Sequence, residues 1–131
     1  MKKLLFLLCI SFAQQIHAQS YQKIHAKAIV VDTHNDFLMK TVDLPGIVMD
    51  QDMTGKTRSD LARWKRGGLD VQIFSVYCDG DAKNPYAYAN REMDSLDAVA
   101  ARNPDKIVKV ASYKQLMKVV KHHNIAAIVG V

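Results

Sequence analysis

Short apolar runs of β character alternate along the chain with longer stretches of helical periodicity. The run at residues 28–33 predicts a first strand, and a helical or irregular lead-in is expected at 20–27. The run at 71–77 is rich in β-branched and aromatic residues and predicts a second strand, and a short strand is expected at 107–110. The near-continuous apolar run at 125–131 is typical of a strand buried on both faces of a parallel sheet.

Helix signals lie between these strands. Residues 57–66 predict a helix that ends at the Gly67-Gly68 pair. Pro85 opens a longer predicted helix that runs to about Arg102. We predict that its core-facing stripe consists of Ala89, Met93, Leu96 and Ala100.

Two further segments carry local signals. The pattern Ser112-x-x-Gln115 has the form of a capping box and predicts a helix through about His123. The stretch 40–56 contains proline and glycine amid residues of mixed polarity, and it predicts a long exposed loop after the first strand. A long loop at the C-terminal end of a strand is more often functional than accidental.

The order strand, helix, strand, helix, strand predicts an α/β protein with a parallel sheet. The length of 131 residues and the hydrophobic content of 49% suit one modest domain. Three main strands do not close a barrel, and the sequence stops within an apolar strand with no helix after it. We therefore expect this chain to be the front part of a larger protein.

The first residues have the features of a secretory signal peptide. Lys2 and Lys3 precede a ten-residue apolar run, and a small residue, Ala18, precedes the expected cleavage point. The run is too short to be a permanent membrane-spanning helix. A lipid anchor on Cys9 is the alternative, but a bulky leucine precedes this cysteine, which also lies too early in the run. We predict a signal peptide at 1–18 and export to the periplasm or the medium.

The charge and the cysteine content of the mature chain limit which partners and which covalent links are expected. Without residues 1–18 the net charge falls from +5 to +3, because that segment holds two lysines and no acid. The other basic residues are scattered, so a nucleic-acid partner is not expected. Cys78 is then the single cysteine, and an internal disulfide is excluded. Packing as a small residue at a strand end explains Cys78 better than a role as nucleophile.

Residues with metal-binding chemistry follow the first strand, in the sequence Asp32-Thr33-His34-Asn35-Asp36. Strand alternation would place Asp32, His34 and Asp36 on one face. Because unpaired charges are costly in an apolar core, that face must be wet or neutralised by a cation. An imidazole beside a carboxylate is a typical ligand pair for a divalent metal such as zinc. A bare His-x-Asp is more often part of a solvated loop just past a core strand.

The segment at 31–36 is similar to the opening motif of the renal or membrane dipeptidase family of zinc peptidases. The resemblance continues through Asp60-Leu61 and the stretch 67–77, which matches the family's glycine pair, glutamine and aromatic, followed by Ser-Val-Tyr. It then extends through the helix at 93–99 to the strand at 125–131. An ordered set of motifs thus covers nearly the whole mature chain.

The resemblance implies a (β/α)8 TIM-type barrel with two zinc ions at the C-terminal ends of its strands. Such barrels have about 250 residues or more, so residues 19–131 would form the N-terminal portion, roughly a third. His34 and Asp36 would be the first two zinc ligands. The bridging glutamate, the later histidine ligands and the proton-transfer aspartate would follow Val131. Thr33 stands where the family commonly has glycine, which affects the loop geometry more than ligation.

The implied chemistry is hydrolysis of dipeptides. Two zinc ions would activate a shared water for attack on the dipeptide carbonyl, and a nearby acid would protonate the leaving amine. Asp32 would orient His34 or a neighbour, with a purely local turn role as the alternative. Tyr77 would line the substrate pocket, with packing as its alternative. Because 19–131 holds only part of the ligand set, we expect this piece alone to be inactive.

Two other classes of function stay open. One is a different barrel metallohydrolase, such as an amidase or lactonase, although those more often begin with His-x-His than with the His34-x-Asp36 seen in this chain. The other is a non-enzymatic secreted fragment, which would leave an apolar strand edge exposed. Homodimer formation also stays open.

Overall fold

The computed structural model describes residues 21–80 and 82–131 and contains an all-parallel sheet with helices on both faces. The strands are β1 (Val31–Asn35), β2 (Val71–Ser75), β3 (Ile107–Lys109) and β4 (Ile125–Gly130). The helices are α1 (Phe37–Asp43), α2 (Leu61–Arg66), α3 (Pro85–Arg102) and α4 (Tyr113–Lys121). A short helical turn at 21–25 precedes β1, in agreement with the predicted lead-in. The mixed α/β class is confirmed.

The four strands are arranged in the order β1-β2-β4-β3. β2 and β4 pair along their whole length, from Val71 opposite Ala126 to Ser75 opposite Gly130. The short strand β3 pairs only with the first half of β4, ending where Lys109 lies opposite Ala127. Because β3 lies outside β4, it is not inserted between β2 and β4 as a simple sequential order would require. A parallel sheet of this kind is compatible with part of a barrel.

Two apolar clusters cover the two faces of the sheet. The larger cluster joins Phe74 of β2 and Ile125 of β4 to Trp64 of α2 and Leu96 of α3. The smaller cluster joins Val71 and Ala126 to Val120 of α4. Alternate residues of a strand point to opposite faces, so α4 lies across the sheet from α2 and α3. Val120, near the end of α4, packs against Val71 and Ala126 close to the N-terminal ends of β2 and β4.

Local sequence signals locate the helix ends well. The predicted helix Pro85–Arg102 is confirmed at both bounds. Ser112 caps α4 by accepting a hydrogen bond from the Gln115 amide, while the Gln115 side chain accepts one from Ala111. α2 is shorter than predicted, beginning at Leu61 after the cap Asp60. It ends as predicted at the glycine pair, where Gly68 has a φ of +71° that suits a residue without a side chain.

Two expectations about the chain around β1 were met only in part. β1 begins at Val31, about three residues later than predicted, because the helical turn continues to Ala28 through its bond to the Ile24 carbonyl. The stretch 40–56 is an exposed loop only in part. It begins within α1 and then buries Ile47, Met49 and Met53.

The buried stripe of α3 is shifted by about one residue from the prediction. Its fully buried members are Glu92, Leu96 and Val99, whereas Ala89 and Met93 are only partly buried. Apolar spacing could not reveal this, because the buried position at the start of the stripe holds a carboxylate.

The signal peptide predicted at 1–18 lies outside the described residues. Within the part of the chain that is described, no helix combines the length and apolar character needed to cross a membrane.

Candidate metal site

The end of β1 that carries the predicted ligands is irregular. In its pairing with β2, Asp32 lies opposite Gln72 and Asn35 lies opposite Phe74, so three residues of β1 oppose two of β2. This extra residue is a β-bulge, a feature that often redirects a side chain beside an active site. The simple alternation predicted for Asp32, His34 and Asp36 is therefore wrong, because the bulge breaks the period of two within the segment.

His34 and Asp36 are nevertheless brought together. The Nε2 atom of His34 lies 3.1 Å from Oδ1 of Asp36, and the two side chains are 69% and 47% exposed. The pair therefore lies at the surface, at the C-terminal end of β1, where ligands bind in open parallel sheets. Both side chains can be reached from solvent.

Asp36 occupies the N-cap position of α1 without capping it. Its side chain makes no hydrogen bond to the helix backbone. The neighbouring Asn35 accepts a hydrogen bond of 3.0 Å at its Oδ1 from the Phe37 amide, the first of the helix. The carboxylate of Asp36 is thus left available for His34 or for an exogenous ligand.

Asp32 contacts the backbone rather than the imidazole of His34. Its Oδ1 accepts a hydrogen bond of 3.2 Å from the His34 amide. This is a turn of the kind that aspartate commonly forms with the residue two positions later. The contact fixes the backbone of the bulge and, through it, the position from which the His34 ring projects.

The pair fits one edge of a zinc coordination shell. Tetrahedral coordination with bonds of about 2.0–2.1 Å places two ligand atoms about 3.3 Å apart. The observed separation of 3.1 Å between Nε2 and Oδ1 is close to that value and also to an ordinary hydrogen bond. Among residues 21–80 and 82–131 no group of three or more histidine, cysteine, aspartate or glutamate side chains is gathered for a metal. The described residues therefore bring together two potential donor atoms.

Tyr77 lies just past the end of β2 on the same side of the sheet. Its side chain is 53% exposed, so core packing does not explain it. The Tyr77 hydroxyl donates to Oδ1 of Asp79 at 3.3 Å, and the negative charge of Asp79 raises the pKa of the phenol. A role in a substrate pocket stays a prediction.

Glu92 of α3 binds the backbone amide of Tyr77. Its side chain is 0% exposed, and its Oε2 accepts the Tyr77 amide at 3.0 Å. The second oxygen, Oε1, is buried without a hydrogen-bond partner among the described residues. Burial raises the pKa of Glu92 most, and the negative charges of Asp43 and Asp36 raise it further. A buried carboxyl with one oxygen unsatisfied is costly when ionised, so this group favours the neutral acid.

Beside this region a groove of about 350 Å³ lies between the end of α1 and the start of α3. Asp43 and Asp79 line it together with Lys83 and Arg91. The Tyr88 hydroxyl donates to Oδ1 of Asp43 at 2.7 Å, and burial together with this bond raises the pKa of Tyr88. The groove carries both signs of charge.

Gln72 and Glu92 are polar residues of this region whose roles the sequence patterns do not reveal. Gln72 stands within a strand predicted from its apolar neighbours, and Glu92 lies outside the predicted helix stripe. The available signal is a long polar side chain at each buried position. One is in a strand otherwise rich in apolar residues, and the other is four residues before Leu96 on a core-facing helix.

Comparison with known proteins gave one family match. The sequence profile of the family described as Membrane dipeptidase (Peptidase family M19) matches residues 18–131. No curated protein matched the chain significantly. The match spans the whole of the described structure, from the helical turn before β1 to the last residue of the sheet.

Proposed function

The chain belongs to the membrane dipeptidase family, peptidase family M19, and from this membership we propose that the protein is a zinc-dependent dipeptidase. The observation that carries the proposal is the exposed His34–Asp36 pair, with 3.1 Å between Nε2 and Oδ1, at the C-terminal end of a parallel strand. Family membership supports a peptidase or hydrolase as the general class. The restriction to dipeptides and the use of zinc are the specific parts of the proposal.

In this proposal His34 and Asp36 hold zinc through Nε2 and a carboxylate oxygen. Bound zinc supplies a water of lowered pKa and a positive charge that polarises a carbonyl group. The Asp32 carboxylate holds the His34 amide, so the imidazole projects from a fixed backbone. Asp36 makes no cap bond to α1, so its carboxylate is free to ligate. Tyr77, held at its amide by Glu92, borders the space in which a dipeptide would lie.

We propose that the four parallel strands form part of a (β/α)8 barrel whose remaining ligands come from later strands. Two donors are too few for a tight zinc site, which takes three or four protein ligands. Residues 19–131 alone should therefore bind zinc weakly and show no turnover. Robust zinc-dependent dipeptide hydrolysis by purified 19–131 would contradict this part of the proposal.

The activity itself is tested with the protein as its complete gene encodes it. We expect hydrolysis of a panel of unblocked dipeptides, loss of turnover after zinc is removed with a chelator, and recovery when zinc is returned. The same panel with blocked amino termini, N-acyl amino acids and lactones is the matched control. Preferential hydrolysis of an N-acyl amino acid or a lactone would instead identify an amidase or lactonase on the same scaffold.

We further propose that the protein is exported, with cleavage after Ala18. The basic start and short apolar run of residues 1–18 support this. The mature protein should begin at Gln19, which sequencing of the amino terminus after secretion would establish. An intact amino terminus on active protein retained in the cytoplasm would contradict the proposal.

A further inference from the structure

Gln72 is a fully buried polar residue in the middle of the sheet. It lies in β2 directly opposite Asp32 of β1, and its exposure is 0%. A buried carboxamide costs free energy unless its donors and acceptors are all paired, and an apolar side chain would fill the same place without that cost. The location of its hydrogen bonds therefore indicates what this residue does.

The side chain of Gln72 contacts both ends of the β1 bulge. Its Oε1 accepts a hydrogen bond of 3.2 Å from Nδ2 of Asn35, at the far end of the bulge. Its Nε2 is 3.4 Å from the Asp32 carbonyl oxygen, at the near end, and 3.2 Å from the carbonyl oxygen of Ile73 in its own strand. The two residues between these contacts include His34.

The side chain of Asn35 connects Gln72 to the backbone around Asp36, the second candidate ligand. While its Nδ2 donates to Gln72, Asn35 uses its Oδ1 to accept the Phe37 amide. Asp36 lies between these two anchored residues and has no bond of its own to the helix. The backbone on each side of Asp36 is thus held through one amide side chain whose orientation depends on Gln72.

We propose that Gln72 is a positioning residue for the His34–Asp36 pair: its buried carboxamide holds both ends of the β1 bulge and so fixes where the two side chains project. The inference rests on the proposed zinc function, because that function makes His34 and Asp36 metal ligands. Gln72 does not touch the imidazole or the carboxylate. It acts through the backbone at Asp32 and through Asn35.

Gln72→Met is the direct test, because methionine has a similar length and lacks both hydrogen-bonding groups. Asn35→Ala is the second variant, because Asn35 is only partly buried and its loss leaves the β2 core intact. Val120→Ala is the matched control. It removes buried apolar volume from the cluster on the opposite face, away from the bulge.

The first arm uses the complete protein without metal. Backbone amide exchange at His34 and Phe37 should be faster in Gln72→Met and in Asn35→Ala, relative to amides of β4, and unchanged in Val120→Ala. Equal protection of both amides in the wild type and in Gln72→Met would overturn the proposal. In Asn35→Ala only the His34 amide is decisive, because Asn35 itself accepts the Phe37 amide. This arm remains informative even if the wild type binds no zinc, a result that would refute the proposed function alone.

The second arm measures zinc affinity by competition with a chromogenic chelator. Loss of an outer partner of a metal ligand commonly weakens metal binding about 10- to 100-fold. We expect a loss of that size in Gln72→Met and Asn35→Ala, with affinity in Val120→Ala close to the wild type. An unchanged affinity in both test variants, or an equal loss in the control, would overturn the proposal. Should Gln72→Met fail to fold, the Asn35→Ala result decides.

Discussion

Two aspartates stand at the N-caps of two helices and are used in opposite ways. Asp60, before α2, is buried at 1% exposure and accepts hydrogen bonds from the amides of Met53 and Arg63 and from the Arg63 guanidinium. Asp36, before α1, makes no cap bond and faces His34 at the surface. An aspartate whose oxygens are both engaged in this way contributes to folding, whereas one released from capping is free to bind a ligand.

The two helix starts also differ in what the neighbouring residues hold. Asn35 supplies the hydrogen bond that the Phe37 amide needs, and Gln72 keeps Asn35 in place. At α2 the cap bond comes from Asp60 itself, which also ties the segment around Met53 to the helix. The comparison predicts that changes at Asp36 affect function and changes at Asp60 affect stability.

The largest expected effect is on turnover. In the complete protein, His34→Ala and Asp36→Ala should each lower the rate of dipeptide hydrolysis by about a thousandfold or more, as expected when a catalytic metal loses a ligand. In the metal-free protein the unfolding midpoint should change little, because exposed substitutions usually cost within about 0.5 kcal/mol. Rates are compared by steady-state kinetics, and wild-type turnover in both variants would remove the ligand assignment.

The next largest expected effect is a loss of stability, at Asp60, rather than a loss of activity. Asp60→Ala should lower the free energy of unfolding by about 3–5 kcal/mol, since it leaves the Arg63 guanidinium without its buried partner and α2 without its cap. Denaturant titration measures this loss. Asp60→Asn is the control that keeps the size and one acceptor, and it should cost less. A loss below about 1 kcal/mol for the alanine variant, the usual cost of a lost cap alone, would contradict the structural role given to Asp60.

The stability that Asp60 contributes should depend on pH in one direction. Burial alone would raise the pKa of Asp60, but the bonds from Arg63 and Met53 outweigh it and lower the pKa. The stabilisation is therefore present above the unfolded pKa and is lost as the pH falls through the lower, folded pKa. The difference in stability between wild type and Asp60→Asn should shrink on acidification from about pH 6 to about pH 2.

Glu92 is the intermediate case, an acid that is buried but only half satisfied. Its raised pKa means that the folded protein keeps the proton to a higher pH than the unfolded chain does. Stability from this group is then fully present below the unfolded pKa and is lost as the pH rises through the folded pKa. Between the two pKa values the loss approaches about 1.4 kcal/mol for each pH unit.

Glu92→Gln makes that loss measurable. The variant cannot ionise, so its stability relative to the wild type should improve as the pH rises from about 4, as followed by denaturant titration. Val99→Ala, in the same helix, is a control whose cost should not vary with pH. A wild-type stability that rises with pH relative to Glu92→Gln would show that the buried carboxylate prefers to be ionised.

The parts of the fold that the sequence predicted depend on neighbours along the chain. Pro85, the Asn103-Pro104 break and the Ser112–Gln115 cap define the ends of α3 and the start of α4 without reference to anything distant. The strands β2 and β4 follow in the same way from unbroken apolar runs. The presence of His34 and Asp36 at a strand end was also predictable for this reason.

What the sequence did not predict depends on contacts far apart in the chain. The β1 bulge exists through pairing with residues about forty positions away, and the burial of Met53 depends on Asp60 accepting its amide. Glu92 is an acid inside a core because it satisfies the Tyr77 amide across the helix–strand interface. A periodic apolar pattern does not reveal a buried polar residue whose hydrogen-bond partner lies in another helix or strand.

The smallest predicted effect checks the capping comparison itself. Ser112 caps α4 as Asp60 caps α2, so Ser112→Ala should cost about 1 kcal/mol of stability. Asp36→Ala, at an N-cap that is not used, should cost less than about 0.5 kcal/mol. Thermal unfolding of the two variants side by side measures both. A larger loss for Asp36→Ala than for Ser112→Ala would show that Asp36 stabilises α1 after all.

Zinc content tests the central claim most directly. The complete protein, purified without chelators and analysed for bound metal, should carry about two zinc ions per chain, as the two-metal mechanism requires. His34→Ala and Asp36→Ala should each carry clearly less while remaining folded, and Asp60→Asn should carry as much as the wild type. Equal zinc content in the wild type and in both ligand variants would contradict the assignment of His34 and Asp36 as metal ligands.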